Sequence, residues 1–229
     1  MPNKYVDFVP DEVFLECVAW VCGGYPANPE KIDVDEFHKN TIDPFKLVFD
    51  LVSMNTSVEE WIKTENVRQH DKTINNKVGE FHQKLLGSVA GWEDLKVGDE
   101  TGVDIRKSDN SIFIELKNKY NTMNDGATEN CFRRLNAAVK MYPKAKAYWA
   151  YIISVNGKSG EEVWVRGGRS NPQVRKVWGS KVYELVTGDK NALENVWKAL
   201  PKAINDLRRS KVKVDEQKVK FFFDAAFRG

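Results

Sequence analysis

The sequence predicts an α/β (α+β) fold in which a central mixed β-sheet is flanked by helices and preceded by a helical region. Three observations predict it. Apolar residues recur three and four apart through the first ninety positions, the pattern changes to strand-like alternation after Gly102, and a helical period returns beyond Lys190.

Val9-Pro10-Asp11-Glu12 places proline and acids at a first helical turn, Phe14, Val18 and Val21 follow at helical spacing, and Gly23-Gly24 stops the run. Asp43-Pro44 opens a second helix, with Leu47, Val48 and Leu51 on its apolar face. Ser57 and Glu60 form the capping box of a third. A fourth runs from Thr73 to Gly91, carried by Val78, Phe81, Leu85, Val89 and Trp92. Gly102 to Arg106 and Ser111 to Lys117 then read as a β-hairpin around the turn residues Ser108-Asp109-Asn110. Asn124 to Met141 reads as a crossover helix with Cys131, Leu135 and Ala138 inward. Lys146 to Val155 is a central strand ended by Asn156-Gly157. Val163 to Val165 and Lys181 to Val186 read as further strands, and Lys190 to Leu207 as a helix. There is no internal repeat and no low-complexity linker.

A chain of 229 residues is expected to bury roughly 70% of its unfolded surface, enough for a core without staples. With 41% hydrophobic and 11% aromatic residues the composition is globular, which excludes a disordered, collagenous or coiled-coil chain. No apolar run approaches the ~18 residues of a membrane span. The opening MPNKYVDFVPDE lacks the basic and apolar regions of a signal peptide, so the expected compartment is the cytoplasm. Cys17, Cys22 and Cys131 are too few for a disulfide framework, and they read as buried, inert thiols.

Lys and Arg number 35 against 33 Asp and Glu, but this near balance hides a polarity. Residues 1–60 carry four Lys against twelve acids, a net charge of −8, which leaves +10 for the rest. Val163 to Lys181 holds five cations and no acid, and Lys202 to Lys220 holds seven cations against three acids. Basic segments that also hold Trp, Asn, Gln and Gly suit a polyanion, because Arg and Lys neutralise phosphates while Asn, Gln and Arg also read base edges.

The chemistry-bearing residues lie on the hairpin. Strand alternation points Glu115 and Lys117 to one face beside Asp104, at the end of the apolar run Ile112-Phe113-Ile114. Charges at the end of a buried strand are costly unless paired or liganded. Two carboxylates together suit a hard divalent cation such as Mg²⁺, and a lysine beside it positions water and stabilises developing charge, the division of labour of phosphodiester hydrolysis. Glu80, on the preceding helix, is a further candidate as metal ligand or base. Other chemistries fail on inspection. His38, His70 and His82 lack the partners of a histidine-based site, His82-Gln83-Lys84 lacks the downstream aspartate of a phospholipase-D-like motif, and the glycines form no phosphate-binding loop. Gly167-Gly168 is a place for a backbone turn.

At Asp104, Glu115-Leu116-Lys117 and the run Asn118-Lys119-Tyr120-Asn121-Thr122-Met123-Asn124, the chain resembles the PD-(D/E)XK nuclease superfamily, and within it the Type II restriction endonucleases that cut GGNCC-type palindromes. The resemblance extends from Glu80 through the basic loop to Val182–Gly188, about half the chain, where that family has a strand and a turn into the last helix. Val103 stands where the family's motif has proline. The resemblance implies Asp104 and Glu115 as metal-binding acids, Lys117 as catalytic lysine and Mg²⁺ as cofactor. The helical pattern and the resemblance together divide the chain into a helical region over 1–72, for packing, dimerisation or DNA contact, and a catalytic and recognition core over 73–229, and the length of the chain suggests one compact domain.

Guanine-rich half-sites call for arginine donors. Arg166, Arg169 and Arg175 are therefore the candidates for base reading, with Asn171 and Gln173 beside them. Arg133, Arg134, Lys119 and Lys176 are candidates for phosphate contact, and Asn118 and Asn121 for further DNA contact. A palindrome read by one copy per half-site implies a homodimer on double-stranded DNA, and a restriction activity implies a methyltransferase that protects the host. Two alternatives stay open: another nuclease of the superfamily acting in repair or on DNA structure, and a DNA-binding module whose acid cluster is structural.

Overall fold

The structure, a computed structural model, describes residues 3–28, 32–95 and 99–228. Its helices and strands follow in the order α1 (Asp11–Cys22), α2 (Val34–His38), α3 (Pro44–Met54), α4 (Val58–Gly87), β1 (Trp92–Asp94), β2 (Ile105–Lys107), β3 (Ile112–Lys119), α5 (Asp125–Met141), β4 (Lys146–Ile153), β5 (Gly160–Arg166), β6 (Arg169–Trp178), α6 (Ser180–Thr187), α7 (Ala192–Arg208) and α8 (Glu216–Phe227). The six strands form one mixed sheet in the order β1-β2-β3-β4-β6-β5, with β3, β4 and β6 parallel and the outer pairs antiparallel. This is the expected α/β (α+β) architecture, a mixed sheet flanked by helices of the PD-(D/E)XK-like kind. The chain divides into two compact units, one formed by residues 1–19 and 79–229 and the other by 20–78.

In the sheet unit, α5 is the crossover between the parallel strands β3 and β4, as a parallel connection requires. Asn124 caps it, accepting from Ala127 N at 2.8 Å. Its buried face, Cys131, Phe132, Leu135, Ala138 and Val139, packs on Phe113, Ala147, Val174 and Trp164. Alternation sends Tyr148, Ala150, Ile152 and Val177 to the other face of the sheet, and α6 packs against β4 and β6. Tyr183 of α6 joins Phe8, Phe14, Phe81 and His82 in a run of edge-on aromatic contacts. Gly167 and Gly168, with φ of 54° and 74°, make the two-residue turn that joins β5 to β6, the handedness that a twisted hairpin favours.

In the other unit, Asp43 caps α3 by accepting from Phe45 N and Lys46 N. The capping box at Ser57 is reciprocal: Glu60 N donates to Ser57 Oγ at 3.2 Å, and Ser57 N donates to Glu60 Oε2 at 3.4 Å. Trp61, buried on α4, donates its indole N–H to Asp50 of α3 at 2.9 Å. Lys77 lies over the Trp20 ring, 3.6 Å from its centroid.

Four local expectations are corrected. The helix expected to start at Thr73 is the second half of α4, one helix of 30 residues. Thr73 donates its hydroxyl to Gln69 O one turn back, and no glycine or proline interrupts residues 58–78. Residues 181–186, read as a strand, are the helix α6, because Gly179 (φ 68°) ends β6 and Gly188 (φ 77°) closes the next turn. The basic loop is the β5–β6 hairpin, in which paired backbone leaves its cations on strands. Val48, expected inward on α3, is 60% exposed. The strand β1 and the helix α8 were not anticipated.

His82 Nδ1 and the Tyr183 hydroxyl lie 2.7 Å apart, and burial pushes the imidazole from 6.5 down to about 4. The unfolded chain therefore takes up this proton first, so the stability it contributes is complete above about pH 6.5 and is lost as pH falls toward 4. Thermal melts across that window should show a steeper loss for wild type than for His82→Gln. Parallel curves would show that His82 does not carry the acid sensitivity.

Candidate active site

The site forms at the open end of the β2–β3 hairpin, away from its turn at residues 108–110, where the start of β2 lies beside the middle of β3. Asp104 immediately precedes β2, and its backbone is fixed on both sides: its N–H donates to Ile114 O at 3.0 Å, and its carbonyl accepts from Leu95 N at 2.8 Å. Its carboxylate accepts from Leu116 N at 2.7 Å. Glu115 and Lys117 emerge from β3 on one face, as alternation requires, while Leu116 is buried. Lys117 Nζ stands 2.8 Å from Glu115 Oε1 and 3.5 Å from Asp104 Oδ2. Arg134 reaches in from α5, with Nη2 2.8 Å from Glu115 Oε1 and Nη1 donating to Gly102 O at 2.7 Å.

Charge and burial set the character of this cluster. Glu115 is 3% exposed, and its Oε2 is buried without a hydrogen-bond partner. Burial, and then the neighbouring Glu115, raise the Asp104 carboxyl above the usual carboxylate range. Burial acts to lower Lys117, but Asp104 and Glu115 outweigh it, and its ammonium is held above the usual lysine value. A buried carboxylate oxygen with no donor is unfavourable unless something positive meets it. Two acid side chains, one with an orphaned oxygen, are the donor set that a hard divalent cation takes, so the residues present fit such an ion. The site opens into a pocket of about 610 Å³ walled by Glu115, Lys117, Arg133, Arg134 and Asn130.

The family model of the Eco47II restriction endonuclease matches residues 6–208. The chain belongs to the Eco47II restriction endonuclease family. It is 37% identical over 218 residues to the Type II restriction enzyme Sau96I of Staphylococcus aureus, covering 90% of this chain and 82% of that protein. It is also 37% identical over 184 residues to the Type II restriction enzyme Eco47II of Escherichia coli, covering 73% and 74%. A Type II restriction endonuclease is a site-specific deoxyribonuclease, and its substrate is double-stranded DNA.

The structure of this endonuclease gathers some of the expected site residues and separates others. Asp104, Glu115 and Lys117 come together, with Arg133 and Arg134 on the wall. Glu80 lies exposed on α4, one residue after Gly79, where an added Cβ would come within 3.8 Å of Asn118. Among the described residues, no three His, Cys, Asp or Glu side chains form a metal-binding group, so Glu80 is not gathered with the other two acids. Asn118 is half-buried beyond Lys117, and Lys119 and Asn121 are exposed. Lys176 stands in register with Trp149 and Glu115, two strands away on the same face, and pairs with Glu162. Arg175 aligns with Tyr148 and Ile114 on the opposite face and pairs with Glu161.

Arg166 and Arg169 are both tied to α5. Arg166 binds Asp125 at 2.7 Å and Glu129 at 2.9 Å, and Arg169 binds Glu129 at 2.7 Å and lies over the Phe132 ring. Gln173 donates to Pro143 O and Ala145 O, holding the turn between α5 and β4. Cys131 is buried, with its thiol pushed up to about 12 by burial, and Cys17 is buried and raised to about 11. Both are the inert thiols expected. Among the described residues, no helix is long and apolar enough to cross a membrane.

Sequence reasoning assigned Arg134 to a phosphate, whereas the structure sets it against Glu115. Only its position on the exposed side of the crossover helix, one residue before the inward Leu135, hinted at this. Removing it leaves Lys117 alone against a buried carboxylate, at a cost of about 1–2 kcal/mol given the partial exposure of the guanidinium. Arg134→Ala should therefore melt several degrees below wild type, with Arg134→Lys between them and the gap narrowing in Mg²⁺. A gap independent of the cation would show that Arg134 does not balance the charge that the ion would meet.

Proposed function

We propose that this endonuclease is Mg²⁺-dependent, cuts both strands of a short G/C-rich, GGNCC-like palindrome as a homodimer, and works in the cytoplasm alongside a methyltransferase that protects the host sites. The observation that carries the reading is the buried Glu115 carboxylate, one oxygen held by Lys117 and Arg134 and the other without a partner, beside Asp104. Asp104 and Glu115 hold the metal. When bound, the ion polarises the phosphoryl group and lowers the pKa of water. Lys117, kept protonated by the two carboxylates, holds both in place and stabilises charge that develops on the phosphate. Arg133 and Lys119 neutralise flanking phosphates, and Glu80 acts from outside the acid pair as an accessory group. Arg166 and Arg169 read bases once DNA displaces them from Glu129. The GGNCC-like site is supported by the resemblance in the run from Ile114 to Asn124.

Digestion of unmethylated phage DNA tests the chemistry. Wild type should give discrete bands in Mg²⁺ and none in EDTA, and sequenced ends should reveal one palindrome. Glu115→Ala and Lys117→Ala should each lower cleavage by roughly a hundredfold or more while DNA binding survives. Cutting that persists in EDTA or in Glu115→Ala would sink the metal-site reading.

The dimer is supported by α3. Phe45, Val48, Phe49 and Val52, spaced three and four apart, are 60–77% exposed, while the Asp50 side of the helix is fastened to Trp61. Such a contiguous apolar stripe marks an interaction surface. The acidity of residues 1–60 disfavours DNA or an anionic lipid surface as the cover, and the occupant we assign, a second copy, rests on the symmetry of the stripe. In an antiparallel pair of such helices each phenylalanine meets a valine of the other chain, which is the self-complementarity that a twofold interface needs. Sedimentation should show a wild-type dimer and a monomeric Phe49→Asp of unchanged helix content. A dimeric Phe49→Asp would place the interface elsewhere.

A further inference from the structure

A second concavity, of about 400 Å³, adjoins the catalytic pocket along α5 and shares Arg133 and Ala137 with it. Its walls include Arg133, Lys140 and Arg169, and no acid. Asn136 of α5 and Asn171 of β6 meet in it, and the backbone fixes how each amide points. Gln173 N–H donates to Asn171 Oδ1 at 3.0 Å, so the Asn171 amide nitrogen is turned toward α5. Asn171 Nδ2 then donates to Asn136 Oδ1 at 3.2 Å, and Asn136 Nδ2 donates to Phe132 O at 2.8 Å. Both side-chain oxygens are engaged within the protein, while each Nδ2 has used one of its two hydrogens. The pair therefore meets a ligand with N–H donors, in a groove lined by cations.

We infer that Asn136 and Asn171 form a guanine-reading pair, and that the outward side of α5 carries one DNA strand from this pair to the catalytic carboxylates. In the major groove guanine presents two acceptors, N7 and O6, whereas adenine and cytosine each present an amino donor that would face an Asn N–H. A donor-only pair suits guanine, whose two adjacent acceptors take both amides, whereas thymine offers O4 alone beside its methyl group. Arg133, common to both concavities, holds the phosphate between the base that is read and the bond that is cut, and Lys140 holds one on the far side. This assignment rests on the nuclease reading above and adds a residue, Asn136, that charge and motif do not single out.

The test uses duplexes carrying the site recovered from the digest, with each guanine replaced in turn by 7-deazaguanine, which lacks the N7 acceptor. Wild type should lose about tenfold in kcat/KM at one guanine, the size expected for a lost base contact. Asn136→Ala should cleave more slowly and lose nothing further at that position, and Asn171→Ser should behave in the same way. Circular dichroism melts establish that at least one of the two variants is folded. A folded variant that keeps the wild-type loss at every guanine overturns the assignment. A wild type that cuts at no defined site overturns the nuclease reading instead.

Discussion

A carboxylate buried in the middle of a parallel strand, met by two cations on one oxygen and by no hydrogen-bond partner on the other, is the constraint around which the sheet unit is arranged. Burying Glu115 there requires Lys117 two residues later on the same strand and requires Arg134 from the crossover helix. The second requirement places a condition on the fold. The link from β3 to β4 must bring the exposed side of α5 back over the strand from which it departed, while Cys131, Leu135 and Ala138 are pressed into the core. The same guanidinium reaches Gly102, whose φ of 63° bends the chain just before Asp104. One side chain thus holds both acid-bearing segments at a set separation.

The distribution of basic residues shows why charge counting is a coarse guide. Val163 to Lys181 holds no acid, yet in the folded chain Arg166 and Arg169 are matched by Asp125 and Glu129, and Arg175 and Lys176 by Glu161 and Glu162. The first two partners come from α5, some 40 residues earlier in the chain, and the other two lie just before the segment on the paired strand β5. Arg169 holds the Glu129 carboxyl below the usual range, with Arg166 adding to it. A phosphate or a guanine edge therefore competes with a carboxylate for these arginines. Rim pairs of this kind are individually weak. The competition favours ligands that present a correctly placed acceptor over polyanions in general.

Much of this was legible in the sequence, and what was not has physical causes. The hairpin, its turn and the triad of Asp104, Glu115 and Lys117 were readable because strand alternation is local and because a charged pair after an apolar strand is conspicuous. The cap at Asn124 and the inward face of α5 were readable for the same reason. Residues 181–186 were misread because Val182, Tyr183, Leu185 and Val186 suit either period, and only the positive φ at Gly179 and Gly188 decides between them. Thr73 was misread because a hydroxyl that can cap a helix can equally donate one turn back inside it. The roles of Arg134 and Asn136 depend on contacts with residues 19 and 35 positions away, to which no local rule points.

On the proposed function and the guanine-reading assignment, one helix serves cutting and reading together. Counting along α5, Asn130, Arg133 and Arg134 border the catalytic pocket, and Asn136 and Lys140 border the second concavity, while the intervening Leu135, Ala138 and Val139 lock the helix to the sheet. A helix is stiff over this length and its buried face is close-packed, so it cannot move at one end alone. A base that fits poorly against Asn136 and Asn171 would displace α5 at the cost of core contacts or leave the DNA strand displaced relative to Glu115. Either result separates the phosphate from the carboxylates. Because reactivity falls steeply with misplacement of the reacting groups by about an ångström, recognition and chemistry are coupled through rigid packing.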